Sequence, residues 1–83
     1  MLRVLFFARL REQLGCESLE LASEPGIDSI AALRAALSER GPVWKEALAD
    51  ANLLAAVNKS FAEPGTPLVS GDEVAFFPPV TGG

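Results

Sequence analysis

The fold of this 83-residue chain is constrained most by one amphipathic helix pattern that has strand patterns on both sides of it. Apolar residues recur at helical spacing at Ile30, Leu33 and Leu37. Either Asp28 or Ser29 is suited to cap the start of this helix. Gly41-Pro42 is predicted to stop it, with the glycine as a left-handed C-terminal residue and the proline unable to continue the helix. One main helix of about three turns is therefore expected to pack on a sheet.

The strand patterns on either side set the order of the elements. Residues 2–8 alternate, with Leu2, Val4, Phe6 and Ala8 on one face, and residues 17–21 alternate again and are predicted to pair with them. Residues 9–14, closed by Gly15, suit a short helical turn, and residues 43–49 a further short helix. The apolar run 53–57 predicts a central strand buried on both faces, followed by a turn at Asn58, a short strand at 60–62 and a last strand at 73–77.

This order predicts an α+β fold, specifically a β-grasp (ubiquitin-like) roll in which a mixed sheet carries one main helix. The alternative is a ferredoxin-like split βαβ fold, which would require two comparable helices. A chain of this length allows one domain with one core, and its 49% hydrophobic residues suffice for a globular core. We expect a single folded domain over residues 1–79.

The composition narrows the range of possible functions. A net charge of -4 and scattered basic residues make nucleic acid an unfavourable partner, and no apolar run approaches the roughly 20 residues of a membrane span. The N-terminus lacks the pattern of a signal peptide, so a cytoplasmic location is expected. Cys16 is the only cysteine and there is no histidine, so no thiolate cluster, imidazole ligand or Ser-His-Asp triad is available. Cys16 is either a nucleophile without a base or an inert small residue, and we expect no metal site and no self-contained enzyme.

The chain ends in Val80-Thr81-Gly82-Gly83, directly after Pro78-Pro79. Glycine lacks Cβ, so a Gly-Gly end can pass through a slot that is too narrow for side chains and present its carboxylate to another protein. The alternative is a frayed terminus without a role, as many termini are. We expect residues 80–83 to form a functional tail beyond the domain.

Several segments together carry a resemblance to a known family. The ending Gly-Asp-Glu-Val-Ala-Phe-Phe-Pro-Pro-Val-Thr-Gly-Gly (71–83) with the preceding residues 67–70, the run Leu-Leu-Ala-Ala-Val-Asn (53–58), the opening Val-Leu-Phe-Phe-Ala (4–8) and Arg11-Glu12 resemble the small subunits of molybdopterin synthase. These are ubiquitin-like sulfur carriers of molybdenum cofactor biosynthesis. The resemblance covers essentially the whole chain, and the residues 23–51 carry little of it beyond the helix pattern.

The resemblance implies a role for the tail. An ATP-dependent adenylyltransferase of the ubiquitin-activating type would adenylate the Gly83 carboxylate, and a sulfur donor protein would convert it to a thiocarboxylate. Val80, Thr81 and Gly82 would thread the tail into the large synthase subunit, where sulfur passes to a cyclic pyranopterin precursor to form the dithiolene. The chain itself would bind no cofactor, catalytic side chains would lie in the large subunit, and the synthase would be a heterotetramer of two small and two large subunits.

Candidate partner contacts lie on the strands and the first helix. Phe7, Phe61 and Phe77 are expected to form an exposed apolar patch on the sheet face away from the main helix, although each could instead be a core residue. Arg11 is a candidate contact, as are the acids Asp72 and Glu73; the alternative is that these are ordinary solvated charges.

Three other functions stay open. A carrier for thiazole or another sulfur pathway would use the same chemistry. A ubiquitin-like protein modifier would join its C-terminus to a target lysine. A plain binding module would not need the tail.

Overall fold

Residues 1–79 are described by a computed structural model that contains five strands and three helices. The elements are β1 (Leu2–Phe6), α1 (Ala8–Leu14), β2 (Ser18–Leu21), α2 (Ile30–Ser38), α3 (Pro42–Leu48), β3 (Leu54–Val57), β4 (Ser60–Ala62) and β5 (Glu73–Phe77). The strands form one sheet in the order β2-β1-β5-β3-β4. The neighbouring strands β1 and β5 are parallel, and the other neighbouring pairs are antiparallel. This mixed sheet is the predicted α+β roll, a ubiquitin-like β-grasp.

The core lies between the sheet and the helices. Alternation in β1 and β5 buries every second side chain, because successive residues of a strand point to opposite faces. The helices contribute the apolar residues that the spacing predicts for α2, two more from α3 and one from α1. The buried set is Leu2, Val4, Phe6, Leu10, Ile30, Leu33, Leu37, Ala47, Leu48, Ala55, Leu68, Val74 and Phe76. The sheet thus has an inner face under the helices and an outer face without them.

The predicted start of the main helix is confirmed, and its predicted stop is wrong. Ser29 is the N-cap of α2, with its Oγ accepting a hydrogen bond from the Ala32 N–H at 3.2 Å. The helix ends at Ser38, before the glycine. Gly41 is extended (φ 158°, ψ 171°) and is the N-cap of α3, whose first residue is Pro42. Proline lacks an N–H and has a fixed φ, both of which suit the first turn of a helix, so Gly-Pro begins a helix here.

Two further expectations about the strands are corrected. The alternation predicts Ala8 on the inner face of the first strand, but Ala8 is exposed and begins α1 with a positive φ of 54°. The apolar run 53–57 predicts a central strand that is buried on both faces. Strand β3 does lie between β5 and β4, but Leu54 at its start is 37% exposed, so the predicted burial on both faces is wrong. No helix in the part of the chain described here is long and apolar enough to span a membrane.

Candidate functional site

The candidate site is the end of the sheet from which the chain leaves β5. Phe77 is the last residue of that strand, and Pro78 and Pro79 follow it. The predicted tail residues Val80, Thr81, Gly82 and Gly83 lie outside the described residues, and the predicted boundary between domain and tail stays a prediction. Because β5 is parallel to β1 and antiparallel to β3, its end lies beside the end of β1 and the beginning of β3.

An apolar cluster surrounds this exit on the outer face. Phe7 has an extended backbone and its N–H donates to the Phe76 carbonyl at 3.2 Å, which continues the pairing of β1 with β5 by one residue. Phe7 therefore lies opposite the buried Phe6, on the outer face. On the other side of β5, Leu54 is the register partner of Phe77. Three apolar side chains thus form a row across three strands where the tail begins.

The third phenylalanine extends this row. Phe61 on β4 pairs in register with Ala56 on β3, and its ring lies 5.9 Å from that of Phe77 between centroids. Phe61 is 80% exposed and Phe7 is 45% exposed, whereas Phe77 is half-buried. We call Phe7, Leu54, Phe61 and Phe77 the exit patch. The structure brings the three predicted phenylalanines to one face; their role in docking stays a prediction.

Leu54 is a member that sequence reasoning missed. Its run of apolar residues has the pattern of a strand buried on both faces, which gives no indication of a surface residue. The signal that identifies it is the strand register, since Leu54 on β3 is directly opposite Phe77 on the neighbouring strand β5.

The opposite end of the outer face is charged. Arg3 on β1 has Glu20 of β2 and Glu73 of β5 as its register partners. Glu73 is half-buried, and the other two are exposed. Arg11 is exposed on α1, and no contact of its side chain distinguishes it from a solvated charge among residues 1–79. The outer face therefore changes from apolar at the tail exit to charged at the other end.

Both carboxylate oxygens of Asp72 accept hydrogen bonds from within the domain. Its Oδ1 accepts a hydrogen bond from Asn58 Nδ2 and its Oδ2 one from the Val69 N–H, both at 2.9 Å. Asn58 Oδ1 in turn accepts from the Glu73 N–H at 3.0 Å. The Val69 N–H and then the Asn58 amide stabilise the charged form and lower the pKa of Asp72. We call this arrangement the turn clasp, because it ties the β3–β4 turn to the start of β5.

Cys16 lies half-buried after α1, and its Sγ donates to the Ser18 carbonyl at 3.4 Å. This geometry agrees with the inert interpretation of the thiol. Within residues 1–79, no group of three or more Cys, Asp or Glu side chains is arranged to hold a metal ion.

Comparison with known proteins identifies a family and several similar proteins. A family model described as the ThiS family matches residues 4–83. The chain is 49% identical over 84 residues to the molybdopterin synthase sulfur carrier subunit of Escherichia coli (strain K12), with full coverage of both chains. It resembles the structure of a complex of subunits 1 and 2 of molybdopterin-converting factor from Helicobacter pylori 26695, with TM-score 0.69, 30% identity and coverage of 99% of this chain and 97% of that one. It also resembles small archaeal modifier protein 1 of Haloferax volcanii, with TM-score 0.78, 26% identity and coverage of 95% and 97%.

Proposed function

The chain belongs to the ThiS family, and on that basis we propose that it is the sulfur carrier subunit of a molybdopterin synthase. The observation that carries this proposal is the 49% identity to a sulfur carrier subunit along the full length of both chains. The exit patch supports it, because exposed aromatic side chains beside the tail are suited to anchor a partner that takes up the tail.

The chemistry resides in the C-terminal carboxylate of Gly83. A carboxylate is a poor acyl donor, so an activating enzyme joins it to AMP from ATP and releases pyrophosphate. Sulfide delivered by a donor protein then attacks the acyl carbon and forms a C–S bond, the C–O bond to AMP breaks, AMP leaves with the bonding electrons, and a thiocarboxylate remains. ATP is a substrate of the activating enzyme and no cofactor resides in the carrier. These reaction steps use no side chain of the carrier, which fits a chain without histidine and with one half-buried cysteine.

Delivery requires the loaded tail to enter the large subunit. The residues from Phe77 to Gly83 span at most about 23–25 Å when extended, which suffices to reach a buried site while the domain stays outside. The ring of Pro78 and that of Pro79 fix φ and reduce the conformational entropy lost on threading. Val80 and Thr81 continue the tail, and the glycines pass the constriction. The large subunit supplies the catalytic side chains, two loaded carriers supply the two sulfurs of each dithiolene, and two small and two large subunits assemble.

The first experiment follows the mass of the carrier. Incubation with activating enzyme, ATP and a sulfur donor is expected to replace one oxygen by sulfur at Gly83, as seen by mass spectrometry. Incubation without ATP is the control. A mass that stays unchanged with active components contradicts the proposal, and reconstitution with a thiazole precursor in place of the pyranopterin tests the other sulfur pathway.

The tail itself is tested by two variants. Deleting Gly82 and Gly83 is expected to leave the unfolding temperature unchanged and to abolish sulfur transfer. Gly82→Leu is expected to bind the large subunit through the exit patch but to transfer no sulfur, because its side chain blocks the slot. Normal transfer by Gly82→Leu would refute the argument for a narrow slot.

A second candidate function is protein modification, which the likeness to small archaeal modifier protein 1 favours. Here a lysine ε-amine attacks the same acyl-adenylate, an amide bond forms and AMP leaves. Covalent adducts that survive thiol reductant on a denaturing gel support this function. Their absence with an active activating enzyme and cell extract counts against it.

A further inference from the structure

The two prolines after β5 stand where the sheet would otherwise continue. Pro78 is half-buried and Pro79 is exposed, and both follow Phe77, the last residue of the strand. Strand β5 has β1 on one side and β3 on the other. Successive residues of such a strand direct their backbone N–H and C=O groups to alternate neighbours. The pairing of β5 therefore shows which neighbour each proline faces.

Pro78 faces β1. The Phe7 N–H donates to the Phe76 carbonyl at 3.2 Å, so residue 78 is the next residue of β5 to face that strand. In a parallel ladder the next bond would run from the N–H of residue 78 to the Phe7 carbonyl. Proline has no N–H to donate. The Phe7 carbonyl accepts instead from the Arg11 N–H at 3.4 Å, in the first turn of α1. The ladder with β1 therefore stops at this point.

Pro79 faces β3. Phe77 is opposite Leu54 in the antiparallel register, and continuing this register places residue 79 opposite Asn52. The next bond would run from the N–H of residue 79 to the Asn52 carbonyl, and proline again lacks the donor. The Asn52 N–H is directed elsewhere, since it donates to Asp50 Oδ1 at 2.9 Å. Within residues 1–79 the Asn52 carbonyl accepts no backbone hydrogen bond, so a donor at residue 79 is the group that this ladder lacks.

We propose that Pro78-Pro79 is a two-sided stop of the sheet that keeps the C-terminal residues available to the activating enzyme. The proposal rests on the proposed function, which makes the Gly83 carboxylate the reactive group. Each proline removes one of the two hydrogen bonds with which β5 would continue, one on each side. A sheet that continued over both positions would shorten the reach of the tail by about 7 Å, because each residue spans about 3.3–3.6 Å. The prolines thus preserve the reach of the tail in addition to fixing its φ angles.

The test restores the missing donor at the exposed position. Pro79→Val and Pro79→Gly both supply an N–H that faces the Asn52 carbonyl, but valine favours a strand and glycine disfavours it. If the proline acted only by fixing φ, glycine would be the more harmful substitution, because it has the greater conformational freedom. The matched control is Pro25→Val, at an exposed proline in the turn before α2.

Three measurements are made on each variant. Mass spectrometry at varied carrier concentration gives kcat and KM for the loading of Gly83 by the activating enzyme. Hydrogen exchange followed by NMR gives the protection of the residue 79 amide relative to an unstructured chain of the same sequence, and it needs no enzyme. Thermal unfolding shows that the variants are folded.

We expect Pro79→Val to slow exchange at residue 79 about two- to tenfold and to raise KM by a similar factor with kcat unchanged, because one added hydrogen bond holds that fraction of the carrier in the longer sheet. Pro79→Gly should show smaller changes of both, and Pro25→Val should be loaded like wild type. An unprotected amide in Pro79→Val overturns the proposal, and so does an unchanged KM despite protection.

A larger rise in KM for Pro79→Gly than for Pro79→Val also overturns the proposal, since it assigns the proline to fixing φ alone. Failure of the proposed function has a different signature. In that case an active activating enzyme does not load the wild-type carrier, whereas exchange at residue 79 still shows whether the proline stops the sheet.

Discussion

Substitution of Phe61 is expected to weaken docking to the large subunit while leaving the stability of the fold nearly unchanged. It is 80% exposed, and its main described ring contact is with Phe77 at 5.9 Å, so Phe61→Ala removes little buried area. We expect it to cost about 0.5 kcal/mol of unfolding free energy, as surface substitutions do. In a domain of this size that corresponds to a fall in Tm of about 2–4 °C. The fold should remain nearly intact.

The effect of Phe61→Ala on binding should be much larger. Full burial of a phenylalanine contributes about 1.5–3 kcal/mol, and most of the Phe61 surface is still available for burial by a partner. At about 1.4 kcal/mol for each factor of ten, the Kd for the large subunit should rise about 10- to 100-fold. Isothermal titration calorimetry and thermal unfolding of the same sample measure both quantities.

The matched control is Val43→Ala. Val43 is an apolar residue that is 54% exposed on α3, on the other side of the sheet from the exit patch. We expect it to leave the Kd unchanged. A Kd for Phe61→Ala that equals that of Val43→Ala would refute the assignment of the exit patch as the docking surface.

Three further predictions concern the scaffold. Asp72→Ala removes two hydrogen bonds of the turn clasp, and because these are exposed and screened by solvent, we expect it to cost about 1–2 kcal/mol of unfolding free energy in urea at neutral pH. The pKa of Asp72 is lowered in the folded state, so its contribution to stability is present above the unfolded pKa and is lost as the pH falls through the folded pKa. The unfolding free energies of wild type and variant should therefore converge in acid. Lys59 has φ 71° in the two-residue β3–β4 turn, so Lys59→Gly should raise the unfolding free energy by about 0.5–1 kcal/mol, and a fall would show that the lysine side chain stabilises the turn. Arg34→Met leaves the carbonyls of Leu48 and Asp50 without their donors and should cost about 1.5–3 kcal/mol in urea unfolding, whereas an unchanged midpoint would show that water replaces the guanidinium.

Local signals in the sequence sufficed for most of the elements. The period of α2 and the cap at Ser29 are both local, and the helix begins where they predict. The turn at Asn58 is confirmed for a similar reason, since asparagine tolerates the positive φ of 49° that the turn requires. Gly41-Pro42 is ambiguous because the same dipeptide suits the end of one helix and the start of the next, and only the following turn of α3 decides between them.

The features that the sequence did not predict depend on long-range pairing. An apolar run has the same appearance whether its second face is buried or forms a docking surface, so Leu54 became recognisable only through its register with Phe77. The turn clasp joins side chains 14 residues apart in the sequence, and Arg34 binds backbone carbonyls 14 and 16 residues away. Every residue has a backbone carbonyl, so the sequence does not indicate which carbonyls accept hydrogen bonds from Arg34.

Strand β5 links the scaffold to the proposed chemistry through its two ends. Its first residue, Glu73, donates its N–H to Asn58 in the turn clasp, and its last, Phe77, belongs to the exit patch. Between them, Val74 and Phe76 are buried in the core and hold the strand between β1 and β3. Substitutions at the clasp should therefore change stability with little effect on docking, and substitutions at the exposed Phe61 should do the opposite. Phe77 is half-buried and belongs both to the sheet and to the exit patch, so Phe77→Ala should lower the unfolding free energy and the affinity for the large subunit together. A loss of only one of these two quantities would show that the exit patch and the sheet are not coupled through this strand.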